Sequence, residues 1–206
     1  MKEIRYPSLG ETWLAAVEEI YRHGVAVGHQ SRELRNLGVG FAEADASGDP
    51  LLARFGSKQQ IDEMHKVFFS TEPNGSGHFY ADKLRGPLGR SDLSDVVELL
   101  AREPWSKRAV VTLVGAGDGQ VPCINVVHFL RREGGLTAAY FARGQDMFRK
   151  FYADALCLYE MAGRVGAGLG LRVIDVFGII SSAHIYLEDL GEIRAVLEQA
   201  GRRQAV

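Results

Sequence analysis

The sequence predicts an α+β fold in which helices cover a mixed sheet and one long helix lies at the centre. Three observations favour this class. The 206 residues are 46% hydrophobic, which is ample for one core covered on both sides. Strand-like runs follow one another as a meander between residues 109 and 142. A long, largely apolar stretch of helical character comes next, and only a sheet face or a helix bundle could bury it. We therefore expect a single domain over residues 1–206.

The first half of the chain is predicted to be mainly helical. After Thr12, a plausible N-cap, apolar residues recur at helical spacing until Gly24. Ser57 is a plausible cap for a second helix. Residues 25–43 show strand-like alternation broken by a charged turn. The helices expected in this half are at about 12–24, 57–69 and 91–104, and the loops are at 45–50 and 70–77.

The second half is predicted to contain most of the sheet. Runs rich in Val and Ile predict strands, and Gly-rich turns separate the first three of them. The apolar stretch from Gln145 to about Leu169 predicts the central helix. Apolar residues at helical spacing predict a last helix near the end of the chain. The expected strands are 109–114, 121–131, 136–142 and 171–186, and the last helix is 188–199.

Two glycine clusters lie in this half, at 115–119 and 163–170. A dinucleotide-binding fingerprint needs a strand, then glycines, then a helix N-terminus. The first cluster joins two strands and the second ends a helix, so neither has that context. We interpret them as a hairpin turn and as helix-packing or C-cap glycines.

Charge and cysteine content exclude several classes of function. The 24 basic and 26 acidic residues leave a net charge of -2, so neither nucleic acid nor an acidic membrane is an expected partner. The first residues have no apolar leader, and we find no membrane span, so we expect a cytoplasmic protein. With two cysteines, Cys123 and Cys157, a disulfide framework is excluded, and both are expected to be thiols.

Chemically active residue types gather in the second half. They are Pro122-Cys123 at the head of a strand, Arg143 and Asp146 in "ARGQDMF", Asp154 in the central helix, and His184 and Tyr186 in "SSAHIYLED". Together they resemble the thymidylate synthase superfamily, including its relatives that hydroxymethylate cytidylates. The offsets between these residues match those of the family without gaps. The resemblance covers about residues 80–190 and implies the family's fold and a homodimer formed through a sheet face.

The resemblance implies that Cys123 is the nucleophile. Its thiolate would add to C6 of a pyrimidine and turn C5 into a nucleophile. A thiolate forms near neutral pH if cations lower the pKa of the thiol, and Arg143 is the nearest candidate. Taken alone, Cys123 would be interpreted as a small buried hydrophobe, and only the accompanying motifs favour a nucleophile; Cys157 keeps the interpretation as a buried hydrophobe.

Substrate-binding roles follow from the same resemblance. Arg143 would bind the nucleotide phosphate with its planar fork of donors. Lys107 and Arg108 resemble paired arginines that reach the phosphate of the neighbouring subunit, although they could be an ordinary solvated pair. His184 and Tyr186 would bind a ribose hydroxyl, and strand alternation puts them on one face.

Asp154 is the most informative departure from the family. Uracil-specific members have an Asn here, whose amide offers one donor and one acceptor. A carboxylate only accepts hydrogen bonds, which suits the C4 amino group of cytosine and the N3 that gains a proton as the adduct forms. Relatives that act on cytidylates carry an acid at this place. The apolar residues 156–159 argue against a merely solvated acid.

The remaining roles concern the cofactor and proton transfer. Asp146 would orient the pterin of 5,10-methylenetetrahydrofolate, but it could also be an acid favoured at a helix N-terminus. Glu63 is placed near the family's proton-relaying glutamate, and Tyr80 resembles its active-site tyrosine. No metal is expected.

Several family features are missing. Gly144 replaces the serine beside the phosphate-binding Arg, residues 29–32 stand where a loop would bring another Arg, and Ile124 stands where a His is usual. No tryptophan stands after Glu63 at the place where the family stacks its folate, and the C-terminal segment that closes over folate is absent.

The sequence predicts a C5 hydroxymethyltransferase acting on CMP or dCMP with methylenetetrahydrofolate. Its alternatives are a methyltransferase like thymidylate synthase, a pocket re-used for another acceptor in a biosynthetic pathway, and a non-catalytic nucleotide-binding homologue.

Overall fold

Helices and a mixed sheet form the protein in a computed structural model that describes residues 1–70, 80–84, 92–114 and 121–202. Within these ranges the strands are β1 (Lys2–Arg5), β2 (Val25–Val27), β3 (Ser31–Phe41), β4 (Val110–Thr112), β5 (Ile124–Arg132), β6 (Gly135–Ala142), β7 (Gln145–Asp146) and β8 (Val173–Tyr186). The helices are α1 (Leu9–His23), α2 (Pro50–Phe55), α3 (Lys58–Phe69), α4 (Tyr80–Lys83), α5 (Asp92–Arg102), α6 (Phe151–Leu169) and α7 (Leu190–Gln199). The expected α+β class with a mixed sheet is confirmed.

The sheet runs in the order β1-β3-β8-β6-β5-β4, with β2 beside β3 and β7 beside β8. Strand β8 is its centre, because it pairs antiparallel with β3 and parallel with β6 and β7. The parallel pairing of β6 with β8 is possible because α6 crosses from one to the other. The start of β5, the end of β6, the last part of β8 and the segment that leads into α6 therefore lie close together.

Helix α6 is the predicted central helix. Its small and apolar side chains, such as Ala153, Leu158 and Val165, are buried. It ends at Gly170, which is left-handed with φ of 66°, as expected for a C-cap glycine. The C-cap interpretation of the second glycine cluster is thus confirmed at Gly170, whereas the first cluster lies outside the described residues.

The first predicted helix begins earlier than expected. Ser8, rather than Thr12, accepts a hydrogen bond from the backbone of Glu11 and caps α1. Thr12 is instead buried, and its hydroxyl donates to the carbonyls of Ser8 and Gly40. The Ser57 cap of α3 is confirmed.

The predicted start of the central helix at Gln145 is wrong. Gln145 and Asp146 form β7, and α6 begins only at Phe151. The backbone N–H of Met147 donates to the carbonyl of His184 at 2.8 Å, so this segment continues its pairing with β8. In the part of the chain that the structure describes, no helix is both long and apolar enough to cross a membrane.

Candidate functional site

Cys123 lies in a bend immediately before β5, where two segments of the chain are tied together. Its carbonyl accepts a hydrogen bond from the backbone N–H of Arg143 at 2.9 Å. The Arg143 guanidinium donates to the carbonyls of Val121, at 2.7 and 3.0 Å, and Pro122, at 3.1 Å. The structure therefore brings Arg143 beside the predicted nucleophile, with its side chain exposed.

A β-bulge shapes the start of β5. Ile124 pairs with Ala142, but the next paired residue is Val126, so Asn125 is the extra residue. Its side-chain amide donates to the carbonyl of Pro122 at 2.8 Å. Bulges of this kind re-aim side chains, and this one fixes the bend that presents Cys123.

Tyr80 also holds this bend. Its hydroxyl oxygen accepts a hydrogen bond from the backbone N–H of Ile124 at 3.1 Å. The ring is buried and lies 4.4 Å, centroid to centroid, from the ring of Phe68. Burial, and then the charge of Asp154, raise the pKa of Tyr80 well above its usual value, so the hydroxyl is neutral. The structure thus brings Tyr80 to the residue after Cys123.

Asp154 lies in the first turn of α6 and is only 5% exposed. Its Oδ2 accepts a hydrogen bond from Gln145 Nε2 at 3.1 Å. Desolvation raises the pKa of Asp154 to about 7, although the hydrogen bond from Gln145 and the charge of Lys150 act in the opposite direction. Near neutral pH this carboxyl group is therefore divided between its acid and its carboxylate forms.

The electrostatic environment of Cys123 differs from the expectation of a lowered pKa. Part of the residue is exposed, yet protein atoms surround the thiol closely enough for desolvation to raise its pKa. Asp154 adds to this effect, whereas Arg143 and Lys150 lower the pKa by less. Arg143 is thus a stabilising cation as predicted, but in the ligand-free protein it does not outweigh burial and Asp154.

Asp146, His184 and Tyr186 form a second group beside the first. Asp146 pairs in register with His184, and the rings of His184 and Tyr186 meet edge to face at 5.4 Å. Asp146 is buried, and its Oδ1 accepts the backbone N–H groups of Phe148 and Arg149 at 3.1 and 3.0 Å. Desolvation raises the pKa of Asp146. Its carboxyl group caps the turn before α6, and its charge acts on Cys123.

Glu63, Lys107 and Arg108 lie on exposed surfaces. Glu63 accepts a hydrogen bond at 2.8 Å from Gln59, one turn earlier on α3, and its proton-relay role stays a prediction. Arg108 forms an ion pair with Glu103 of the same chain, which binding of a partner's phosphate would have to replace.

Sequence reasoning missed three residues of the site: Tyr140, Gln145 and Lys150. Lys150 precedes Asp154 by one helical turn, a spacing that signals an interacting pair. Gln145 stands inside the quoted "ARGQDMF" stretch, but its role depends on the pairing of β7 with β8. Tyr140 is buried on β6, and no signal in the sequence distinguishes it from an ordinary core residue.

Asp146 is the residue that fits the implied folate. A buried carboxyl group such as that of Asp146 suits a heterocycle that donates hydrogen bonds. In the described ranges, no group of three or more His, Cys, Asp or Glu side chains could hold a metal ion.

Comparisons with known proteins were made by sequence and by structure. No protein-family model matches the chain. A "Putative thymidylate synthase" of Methanothermobacter marburgensis is 27% identical over 95% of this chain and 98% of the relative. Proteins described in the same words from Methanothermobacter thermautotrophicus and Methanosarcina barkeri are 23% and 24% identical, each over 95% of this chain and over 98% and 94% of their own lengths.

A solved structure matches the fold. Thermostable thymidylate synthase A from Bacillus subtilis has a TM-score of 0.70 over 93% of this chain and 84% of its own, at 11% sequence identity. The protein therefore has the thymidylate synthase fold, and its sequence is similar to those of proteins described as putative thymidylate synthases.

Proposed function

We propose that the protein is a C5 hydroxymethyltransferase of pyrimidine nucleotides that prefers CMP or dCMP. The observation that carries the proposal is the buried carboxyl group of Asp154 close to Cys123 and Tyr80, since the ionisation of Asp154 influences the pKa of both. A buried acid with a strongly raised pKa beside a nucleophile is typical of a functional site.

Cys123 supplies the covalent activation. Its thiolate adds to C6 of the ring, forming an S–C6 bond, and the electron pair of the C5=C6 double bond moves to C5. C5 would then bond to the methylene carbon of the folate and lose its proton, the bond from that carbon to the folate nitrogen would break, and water would add to the carbon to give the hydroxymethyl group as the S–C6 bond breaks. Arg143 stabilises the thiolate and, because its side chain is exposed, can also reach a nucleotide phosphate.

Asp154 suits the base edge of cytosine at each stage. In its acid form it donates to the ring N3 and accepts from the C4 amino group. When the adduct forms, N3 becomes more basic, and the acid proton can move from Asp154 to N3 without loss of either hydrogen bond. A pKa near 7 is well matched to such a transfer.

Other residues of the site have binding roles in this proposal. His184 and Tyr186 share one face of β8 and would bind the ribose. When bound beside Asp146, 5,10-methylenetetrahydrofolate would supply the one-carbon unit.

A homodimer is part of the proposal, with each 206-residue chain forming a single domain. Phe141 and Ile179 are 38% and 37% exposed and lie side by side on β6 and β8, and Val126 continues the row on β5. A contiguous apolar row on the face of a sheet is a typical association surface. Lys107 and Arg108 would then reach the phosphate in the partner's site.

Release of the C5 hydrogen tests the enzymatic proposal. CMP and dCMP carrying tritium at C5 should lose it to solvent when mixed with the protein and methylenetetrahydrofolate. Cys123→Ala should abolish the release, whereas Cys157→Ala should keep it. The proposal is abandoned if no pyrimidine nucleotide releases tritium.

Product analysis by mass spectrometry separates the alternatives. A hydroxymethylated base supports the proposal, and a methylated base supports the thymidylate synthase-like alternative. Thermal stabilisation by nucleotides without turnover would favour a non-catalytic binding protein, because a ligand that binds the native state stabilises it.

A further inference from the structure

Glu33 on β3 lies beside the two residues that are proposed to bind the sugar. In the antiparallel pairing of β3 with β8, Glu33 is directly opposite His184, and Ser31 is opposite Tyr186. Side chains opposite one another in such a pair point to the same face, with their Cβ atoms about 4.5–5.5 Å apart. The Glu33 carboxylate is therefore within reach of a ligand that contacts the His184 ring.

One hydrogen bond fixes the carboxylate on this face. Ser182, His184 and Tyr186 are half-buried, and the residues between them on β8 are buried, so the three side chains share one face of the strand. The hydroxyl of Ser182 donates a hydrogen bond to the Glu33 carboxylate. Glu33 therefore points to the face that carries the His184 and Tyr186 rings.

The contacts of His184 leave one ring nitrogen for a ligand. Its Nδ1 lies 3.2 Å from the carbonyl oxygen of Ser182, and a carbonyl oxygen only accepts, so Nδ1 carries the proton of this bond. In the neutral ring Nε2 is then an acceptor. The Tyr186 ring meets the His184 ring edge to face at 5.4 Å. The two side chains thus form one polar contact point, and Glu33 forms a second one next to it.

The Glu33 carboxylate has acceptor capacity that the protein itself does not use. Its two oxygens offer about four lone-pair sites. Within the described residues, its side chain has one hydrogen-bond partner, the neutral hydroxyl of Ser182, and no ion pair. A half-buried carboxylate without a cation is unfavourable for stability, so a ligand that donates hydrogen bonds explains its presence better than the fold does.

We propose that Glu33 is a substrate-binding residue that determines specificity for the sugar: its carboxylate accepts a hydrogen bond from the 2′-hydroxyl of a ribonucleotide, so that the site prefers CMP to dCMP. This inference rests on the proposed function, in which His184 and Tyr186 bind the sugar. They take the 3′-hydroxyl, which both nucleotides have, and the vicinal 2′-hydroxyl meets the adjacent carboxylate. An Asp or Glu binds a ribose hydroxyl in the same way in dinucleotide-binding folds.

The size of the preference follows from the strength of one charge-assisted hydrogen bond. Because dCMP has a hydrogen atom in place of the 2′-hydroxyl, it leaves the carboxylate without this partner. The net contribution of a hydrogen bond to a charged group corresponds to about 10- to 100-fold in affinity. The wild-type protein should bind CMP more tightly than dCMP by a factor in this range.

Calorimetric binding of CMP, dCMP and 2′-deoxy-2′-fluoro-CMP to the full chain tests the inference. The fluorine atom occupies the place of the hydroxyl but cannot donate a hydrogen bond. The fluoro analogue should therefore bind as weakly as dCMP, or more weakly, because its fluorine faces a carboxylate. Glu33→Met removes both acceptor oxygens and keeps the length of the side chain, so it should bring the affinities for CMP and dCMP within about threefold of each other.

Ser182→Ala is the matched control. It breaks the same internal hydrogen bond as Glu33→Met but keeps the carboxylate, so it should retain the preference for CMP. Loss of the preference in Glu33→Met alone supports the inference. Where Glu33→Met does not fold, Glu33→Gln keeps the size of the side chain and removes its charge, and its CMP-to-dCMP affinity ratio should fall below that of the wild type.

Equal binding of CMP and dCMP by the wild type overturns the inference, and so does a preference that Glu33→Met retains or that Ser182→Ala abolishes. In these cases the proposed function stands, since release of tritium from either nucleotide measures it separately. If neither nucleotide binds to the wild type, the proposed function fails and the role of Glu33 fails with it.

Discussion

The backbone N–H of Ile124 donates to the hydroxyl oxygen of Tyr80 at 3.1 Å, and this bond joins α4 to the bend that carries Cys123. The bond is buried, so water cannot replace it. The hydroxyl that holds the bend therefore has a structural task that can be separated from any chemical one.

Tyr80→Phe should lower both stability and activity. Loss of the acceptor leaves the Ile124 N–H buried without a partner, which costs about 1–3 kcal/mol. Urea unfolding should show this loss, and tritium release should fall in protein that is still folded. Tyr6→Phe, at a 40% exposed tyrosine, should change the free energy of unfolding by less than about 0.5 kcal/mol. Equal stability of the two variants would contradict the role of the bond.

Asp154→Asn should stabilise the protein increasingly as the pH rises. The pKa of Asp154 is raised in the folded protein from 3.8 to about 7, so the folded state binds more protons than the unfolded state between these values. The free energy of unfolding of the wild type therefore falls from pH 4 to pH 7 and is independent of Asp154 above that.

Asp154→Asn has no carboxyl group to titrate at this position. Its free energy of unfolding, relative to that of the wild type, should therefore rise by about 4 kcal/mol between pH 4 and pH 7. Urea unfolding of both proteins at several pH values measures the difference. A constant difference from pH 4 to pH 8 would show that Asp154 is not the group that titrates.

Cys123, rather than Cys157, should react with iodoacetamide. Cys157 is 3% exposed and burial raises its pKa well above the usual value, whereas Cys123 is exposed with a pKa that is raised less. Asp154→Asn removes a charge that opposes the thiolate, so at pH 8 it should speed the labelling of Cys123. Arg143→Gln should slow it. Mass spectrometry of peptides gives both rates, and opposite effects would refute the described electrostatics.

Much of the grouping of the site residues could be predicted from the sequence, because these residues lie at the chain spacings that the resembled family shows. Cys123, Arg143 and Tyr80 do meet around one bend. The segment before α6 could not be predicted, because Met147 and Phe148 are buried and extend the apolar pattern of the helix, although the backbone of Met147 is paired with His184. The hydrophobic periodicity of a sequence does not reveal a backbone hydrogen bond of this kind.

The direction of the pKa shift of Cys123 could not be predicted from the sequence either. The expectation counted the nearby cation Arg143, but desolvation depends on the packing of the folded chain and Asp154 approaches only through α6. The hydrogen bond from Gln145 to Asp154 could not be predicted for the same reason, because it depends on the pairing of β7 with β8.

Two glycine substitutions should have opposite effects on stability. A Cβ at Gly178 would lie 2.2 Å from Cζ of the Tyr140 ring, so this glycine makes the space that Tyr140 occupies beside Gln145. Gly178→Ala should therefore destabilise the protein by about 1–3 kcal/mol. At Gly163, within α6, a Cβ would meet nothing within 4 Å.

Gly163→Ala should stabilise the helix by about 0.5–1 kcal/mol, since alanine loses less conformational entropy than glycine. Thermal unfolding of the two variants measures the contrast. An unchanged free energy of unfolding in Gly178→Ala would mean that the Tyr140 ring can move away at no cost and is not held in one position.

The apolar row on the sheet face makes a prediction about association. Ile179 pairs in register with Phe141, and both side chains are more than one-third exposed. If this face joins two copies, Ile179→Asp should place a charge in the interface and convert a dimer into a monomer in sedimentation velocity. Val25→Asp, on β2, is the matched control because Val25 is 69% exposed away from this row. A monomeric wild type, or a dimer that survives Ile179→Asp, would place the association elsewhere and remove the reason to assign Lys107 and Arg108 to a partner's phosphate.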